Sequence, residues 1–261
     1  MFPNTGLGRG GSRFEFHPQH VIKFDPDLTV PSFMGAFPDV FVKILALSDA
    51  GYSMERGYNV ASELEIDALY TSMDTLRHNL WPCRSHRWQQ PERFQAATLI
   101  ERLIHTNLVY SGRFDQLVGR VPSDRWVRDL VYSVFAVGMG VKAQQQCIHG
   151  DPTASNLVAT SRGLRWIDPI WRDYIPGDPH VDLGKAYQSI LGYENVLRGA
   201  ERLATFEEKA ADIYRMASVL DLEPALGMRW CMIHMLRLLP YQTDRDRDIF
   251  IRWFTEDPRI P

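Results

Sequence analysis

The chain has 261 residues, 45% hydrophobic and 23% charged, which is enough to bury a sizeable core with no disulfide or metal staple. Its 29 Lys and Arg residues stand against 32 Asp and Glu, a net charge of -3, which argues against an electrostatic binder of nucleic acid or of a membrane surface. The longest apolar stretch, roughly residues 131–141, falls short of the about 20 residues a membrane helix needs, no basic-then-apolar signal pattern opens the chain, and the scattered Cys83, Cys147 and Cys231 suggest neither a disulfide framework nor a zinc site. A soluble, cytoplasmic protein is the expectation.

Residues 1–57 read as a small β-rich segment. A glycine run, Gly6-Leu7-Gly8-Arg9-Gly10-Gly11-Ser12, precedes two alternating strands, Arg13-Phe14-Glu15-Phe16 and Val21-Ile22-Lys23-Phe24. Pro26 and Pro31 disfavour a long helix next, and Val40 to Leu47 reads as a more apolar strand. From Asn59 the pattern turns helical, with helices predicted near 60–77, 91–109, 123–144, 181–197, 205–220 and 224–239; Pro91, Pro122 and Pro224 stand where helix starts tolerate proline. Residues 147–174 are short apolar pieces broken by Asp-Pro and Arg-Gly turns, and Asp244-Arg245-Asp246-Arg247-Asp248 reads as a solvated, self-compensating turn. The plan is α+β and two-lobed, with residues 1–57 as a β-rich N-lobe and 58–261 as a helical C-lobe, and a ligand is expected in the cleft between them.

The most informative stretch is Ile148-His149-Gly150-Asp151-Pro152-Thr153-Ala154-Ser155-Asn156-Leu157, followed by Arg165-Trp166-Ile167-Asp168-Pro169. Asp151, Asn156 and Asp168 place oxygen side chains on loop or strand-end positions, as hard Mg²⁺ ions and phosphate-bearing substrates require. An Asp, an Asn five positions later and an Asp closing a short strand is the spacing of a kinase catalytic loop and its metal-binding Asp. This run, with Pro176-Gly177-Asp178-Pro179-His180-Val181-Asp182-Leu183 after it, resembles the aminoglycoside phosphotransferase and choline kinase branch of the protein-kinase-like fold. Gly150, where protein kinases have Arg, points to that small-molecule branch. The segments Ile167-Asp168-Pro169, Gly177-Asp178-Pro179, Asp182-Leu183-Gly184-Lys185 and Gly192-Tyr193 are similar to kinase-like proteins of bacterial capsule and surface-polysaccharide loci.

The resemblance implies a small-molecule kinase using ATP or GTP and Mg²⁺. Asp151 would accept or orient the proton of an attacking hydroxyl, Asn156 and Asp168 would hold Mg²⁺, and His149 and Asp182 would brace the loop. On the nucleotide side, Gly8, Gly10, Gly11 and Ser12 would cradle phosphates, Lys23 would reach them, and the backbone at Glu55 and Arg56 would meet adenine. Residues 24–36 hold no Glu, so the usual glutamate partner of the phosphate lysine is missing. Either Lys23 takes a carboxylate from elsewhere, or Lys43 takes its place with Glu63 or Glu65. The long helical interval from Glu55 to Asp151 would wall the acceptor site, and the ten residues from Asp168 to Asp178 leave no room for a long activation loop, which favours a small hydroxyl acceptor. The alternatives are a nucleotide-binding pseudokinase or scaffold, a protein kinase, and a nucleotidyl transferase.

Overall fold

The computed structural model describes residues 4–7, 13–24, 29–60, 66–83, 92–138, 146–170 and 177–256. The front of the chain forms an antiparallel sheet of β1 (Asn4–Leu7), β2 (Arg13–Phe16), β3 (His20–Phe24), β4 (Ile44–Ser48) and β5 (Gly51–Glu55), in the order β1-β2-β3-β5-β4. Residues directly opposite on antiparallel strands share a face, so Lys23 lies with its partners Phe14 and Tyr52. Val21, Tyr52 and Met54 bury that face, and Lys23 is carried in with them at 8% exposure. Its ammonium sits 5.7 Å from the Phe14 ring centroid and 6.0 Å from that of Tyr52, within cation–π range.

Among the described residues between β3 and β4 is a short helix, α1 (Thr29–Ala36), which tolerates Pro31 because a proline in the first turn forfeits no intrahelical hydrogen bond. The apolar run expected as one strand from Val40 to Leu47 is divided. Val40 and Val42 bond Trp166, whose N–H donates to the Val40 carbonyl at 2.9 Å, while the Val42 N–H returns to the Trp166 carbonyl at 3.2 Å; the sheet strand begins at Ile44 with a bulge. Trp166 closes a second, three-stranded antiparallel sheet of β6 (Tyr58–Asn59), β7 (Leu157–Thr160) and β8 (Gly163–Trp166). At the β7–β8 turn, Arg162 donates to the carbonyls of Pro38 and Phe41 and pairs with Glu55 at 2.9 Å. Burial pushes the Glu55 carboxyl up, but the bonds from Arg162, the Lys43 N–H and Ser161 more than offset this and hold it below its ordinary value.

The remainder is helical: α2 (Ile66–Asn79), α3 (Glu92–Val118), α4 (Asp124–Gly138), α5 (Pro179–Ile190), α6 (Tyr193–Leu197), α7 (Ala210–Leu220), α8 (Pro224–Leu238) and α9 (Asp244–Glu256). No described helix is long and apolar enough to cross a membrane. Helix α3 runs past its predicted end because nothing breaks it before Gly119, at φ 68°. The helix expected over 181–197 splits at Gly192, whose φ of 92° ends α5 and starts α6. The alternating charges at 244–248 are not a turn but the first turns of α9. Asp244 and Asp246 favour the helix N-terminus, Arg245 caps the carbonyls of Val196 and Ala200, Arg113 pairs with Asp248, and Ile249, Phe250, Ile251, Trp253 and Phe254 are buried beneath.

Helix α5 is the centre of the C-lobe and is buried nearly all round, as a helix does when other helices enclose it. Asp178 caps its start through the His180 N–H, with Pro179 at the first position. It crosses α8 so closely that a β-carbon at Gly184 would lie 2.6 Å from Trp230 Cβ and 2.8 Å from the Cys231 nitrogen. Gly184→Ala should therefore lower stability by about 2 kcal/mol in urea unfolding, because backbone rather than a mobile side chain must yield.

Candidate active site

Three polar side chains on the buried helix α5 are themselves fully or nearly buried: Asp182, Lys185 and Gln188. Asp182 is the anchor for the loop that follows Ile148. Its carboxylate accepts the N–H groups of His149 at 2.9 Å and Gly150 at 2.7 Å, and the Trp81 indole N–H at 2.9 Å. Burial pushes this carboxyl up to about 6, against the pull of those three donors toward the charged form.

His149 is enclosed between the rings of Phe41 and Trp166, at centroid distances of 5.6 and 5.3 Å, and its Nδ1 accepts the Asp151 N–H. Burial holds the imidazole down to about 4, so it is neutral at pH 7. Gly150 has φ 81°, and a β-carbon there would collide with the Ile170 carbonyl oxygen. Only glycine fits where the returning chain is pinned by the Ile170 N–H donating to the His149 carbonyl at 2.8 Å.

The turn so held presents Asp151. One carboxylate oxygen is 2.8 Å from the Lys185 ammonium, and the other accepts the Asn156 amide at 2.9 Å. Burial alone would raise the Asp151 carboxyl, but Lys185 more than offsets this and keeps it charged, below the usual range. Asn156 also donates to the Asp151 carbonyl, so its amide nitrogen is committed to that residue and its oxygen is turned away from it. The Asn156 carbonyl accepts the Ile167 N–H at 2.9 Å, which sets Asn156 beside the end of β8. There Asp168 takes a left-handed conformation, φ 53°, and its carboxylate meets Lys23 Nζ at 3.0 Å.

The fold thus unites Asp151 with Asn156, and Asp168 with Lys23, under the support of His149 and Asp182. Among the described residues Asp168 is a carboxylate partner of Lys23, whereas Lys43 is exposed on the far side of β5; Glu63 and Glu65 lie outside the described residues. Gly8, Gly10, Gly11 and Ser12, expected at the phosphates, also lie outside them; the flanking strands β1 and β2 pair as an antiparallel hairpin around that segment. For Glu55 and Arg56 the backbone donors are already engaged: the Glu55 N–H bonds the Lys43 carbonyl at 2.8 Å, and the Arg56 N–H bonds the Gln19 carbonyl at 3.3 Å. An adenine contact in this segment falls to groups other than those two N–H donors.

Sequence reasoning missed two members of the site. Lys185 follows Asp182 by three residues on a predicted helix, and that spacing places both on one face, a signal available in the pattern. Trp81 lies 101 positions before its partner Asp182 and leaves no local trace.

Asp151 and Lys185 line a cavity of about 560 Å³ walled by α3 and α8, with Arg102, Tyr193, Arg237 and Gln242 among its other walls. The helical interval ahead of the loop therefore does bound the space in front of Asp151.

No family model matches the sequence, and no curated protein matches it. Similarity is found in solved structures. An ethanolamine kinase of Plasmodium vivax shares the fold with a TM-score of 0.56 at 10% identity, over 97% of this chain and 81% of that one. An aminoglycoside phosphotransferase of Streptomyces rimosus, solved with ADP and streptomycin, gives 0.51 at 13% identity, over 89% and 92%. The chain has the α+β, two-lobed, protein-kinase-like fold of this type, with a small antiparallel N-lobe sheet and a helical C-lobe.

The neutral His149 makes a pH prediction. A histidine held near 4 in the folded chain and near 6.5 unfolded supports the fold fully above 6.5 and loses that support as pH falls toward 4. The stability advantage of the parent over His149→Asn should shrink by about 2 kcal/mol between pH 6.5 and 4.5. Urea midpoints of both proteins at the two pH values check it; the difference isolates His149 from Asp182, which titrates in the opposite sense.

Proposed function

We propose that the chain is a Mg²⁺-dependent phosphotransferase that moves the γ-phosphate of ATP or GTP to a hydroxyl of a small molecule. The observation that carries this is the linkage of the Asp151–Asn156–Lys185 cluster to the Lys23–Asp168 pair through the bond from the Ile167 N–H to the Asn156 carbonyl, with Asp151 and Lys185 lining a cavity. Residues 1–57 would supply the nucleotide side, with Gly8, Gly10, Gly11 and Ser12 on the phosphates, and residues 58–261 the acceptor side. The ethanolamine kinase and aminoglycoside phosphotransferase names of the similar structures support a small acceptor. The motif likeness to kinase-like proteins of capsule loci suggests a sugar or surface-polysaccharide precursor, handled in the cytoplasm.

The donor set suits the metal. The Asp168 carboxylate and the Asn156 amide oxygen are hard oxygen ligands, one charged and one neutral, and Mg²⁺ typically takes one or two carboxylates with the rest of its shell from water and phosphates. Bound there, Mg²⁺ would neutralise charge on the phosphates. Lys23 would hold the non-transferred phosphates. Asp151, kept ionised by Lys185, would accept a hydrogen bond from the acceptor hydroxyl and aim its oxygen at the γ-phosphorus. The new O–P bond forms as the bond from that phosphorus to the bridging oxygen breaks; the electron pair leaves with the nucleoside diphosphate, and the hydroxyl proton passes to Asp151 and then to water. A carboxylate held below its usual range is a weak base, so orientation precedes proton transfer.

A second reading, a pseudokinase that binds nucleotide without turnover, is favoured by the absence of a glutamate from α1. Transfer of label from γ-³²P-ATP to small hydroxyl acceptors decides between them. Asp151→Asn and Asp168→Asn, folded by circular dichroism, should each slow transfer by about 100-fold or more. Rates equal to the parent would refute the mechanism, and nucleotide binding with no transfer by the parent would favour the pseudokinase.

A further inference from the structure

One edge of the N-lobe sheet ends on an apolar strand. In the order β1-β2-β3-β5-β4 the last strand, β4, pairs with β5 alone among the described residues, and no other described segment bonds the opposite side of its backbone. An edge of this kind is a template for another strand, and natural edge strands block it with a charge or a proline. The strand Ile44-Leu45-Ala46-Leu47-Ser48 contains neither. Its residues from Leu45 to Ser48 are exposed, the two leucines at 49% and 51%, so both gain from burial against a partner.

The charges that flank the strand say which partner fits. Lys43 stands just before β4 and Asp49 just after it; both are exposed, and neither side chain has a partner among the described residues. When two copies of this segment run antiparallel about a two-fold axis through Ala46, Leu45 of each copy faces Leu47 of the other, and Lys43 of each faces Asp49 of the other. Symmetry makes every contact twice, giving two leucine pairs and two ion pairs across the strands. Sliding one strand by two residues sets Lys43 opposite Leu47 or Gly51 and loses both ion pairs, while parallel, in-register pairing sets Lys43 against Lys43. The sequence around β4 is therefore complementary to itself in one orientation and one register. The bulge between Ile44 and Ala46 adds local twist and keeps the matched segment short.

We infer that two copies of this chain associate through β4, antiparallel and centred on Ala46, joining their N-lobe sheets into one. A pairing of five residues a side belongs to the small, transient class of interfaces, so half-association is expected at roughly 10–100 μM. The inference is independent of the phosphotransferase reading.

Sedimentation velocity of the full chain between about 2 and 200 μM tests it. The parent should move from monomer toward dimer over that range. Lys43→Asp and Asp49→Lys, folded by circular dichroism, should each weaken association by about tenfold or more, because each sets like charges opposite one another in both symmetry-related pairs. The double variant Lys43→Asp/Asp49→Lys should recover the parent's association, a rescue that a folding defect in either single variant would not produce. Ala46→Cys, oxidised in air, should give a disulfide-linked dimer, because residue 46 lies opposite itself at the axis; the parent, with its three free cysteines, should not. A parent that stays monomeric at the highest concentration, association unchanged by either single charge variant, a double variant no better than the singles, or Ala46→Cys without the cross-link would overturn the inference.

Discussion

Asp182 holds the site together because it brings a charged group into the core and leaves it needing donors. A carboxylate in apolar surroundings is costly unless hydrogen bonds surround it. Here the donors are backbone groups of His149 and Gly150 and the ring of Trp81, so satisfying Asp182 determines where the loop that carries Asp151 must run. The same helix presents Lys185 one turn later, and this lysine meets Asp151 itself. One buried helix therefore supplies both the clamp on the loop and the counter-charge on its acid. The close crossing of α5 with α8 at Gly184 keeps that helix from shifting.

From that clamp the geometry propagates outward through backbone bonds. His149 and Asn156 accept the N–H groups of Ile170 and Ile167, on either side of Asp168. Asp168 in turn reaches Lys23 on the inner face of the N-lobe sheet. Trp166, bonded to Val40 and Val42, carries the connection into the N-lobe, and Arg162 with Glu55 fastens the outer edge. The N-lobe sheet and the helical C-lobe are thus joined at several independent points. No carboxylate from α1 takes part, because that helix has neither a glutamate nor the length usual for the role.

The residues legible in the sequence were those whose spacing is local. His149, Asp151 and Asn156 fall within eight positions, Asp168 ends the next hairpin, and Asp182 opens the next helix, so a linear motif records them all. Lys23 stood out through its place on a strand shortly after the glycine run, and the structure puts it on the buried face with Val21. The reason Gly150 must be glycine was not legible, since it depends on the passing Ile170 carbonyl. The Arg113–Asp248 and Trp81–Asp182 contacts join residues more than 100 positions apart and have no local signature. Helix α9 was misread for a related reason: its alternating charges balance one another in any local view, and only its buried apolar face and distant arginine partner make it a helix.

The most direct measurement of the central claim, that Lys23 and Asp168 form a nucleotide and metal site, is calorimetric titration of the purified protein with ATP and GTP, each with and without Mg²⁺. The parent, Lys23→Ala, Asp168→Ala and Lys43→Ala are compared. Binding should require Mg²⁺, be lost in Lys23→Ala and Asp168→Ala, and persist in Lys43→Ala, where the lysine is exposed. Failure of the folded parent to bind either nucleotide, or binding that survives loss of both Lys23 and Asp168, would contradict it.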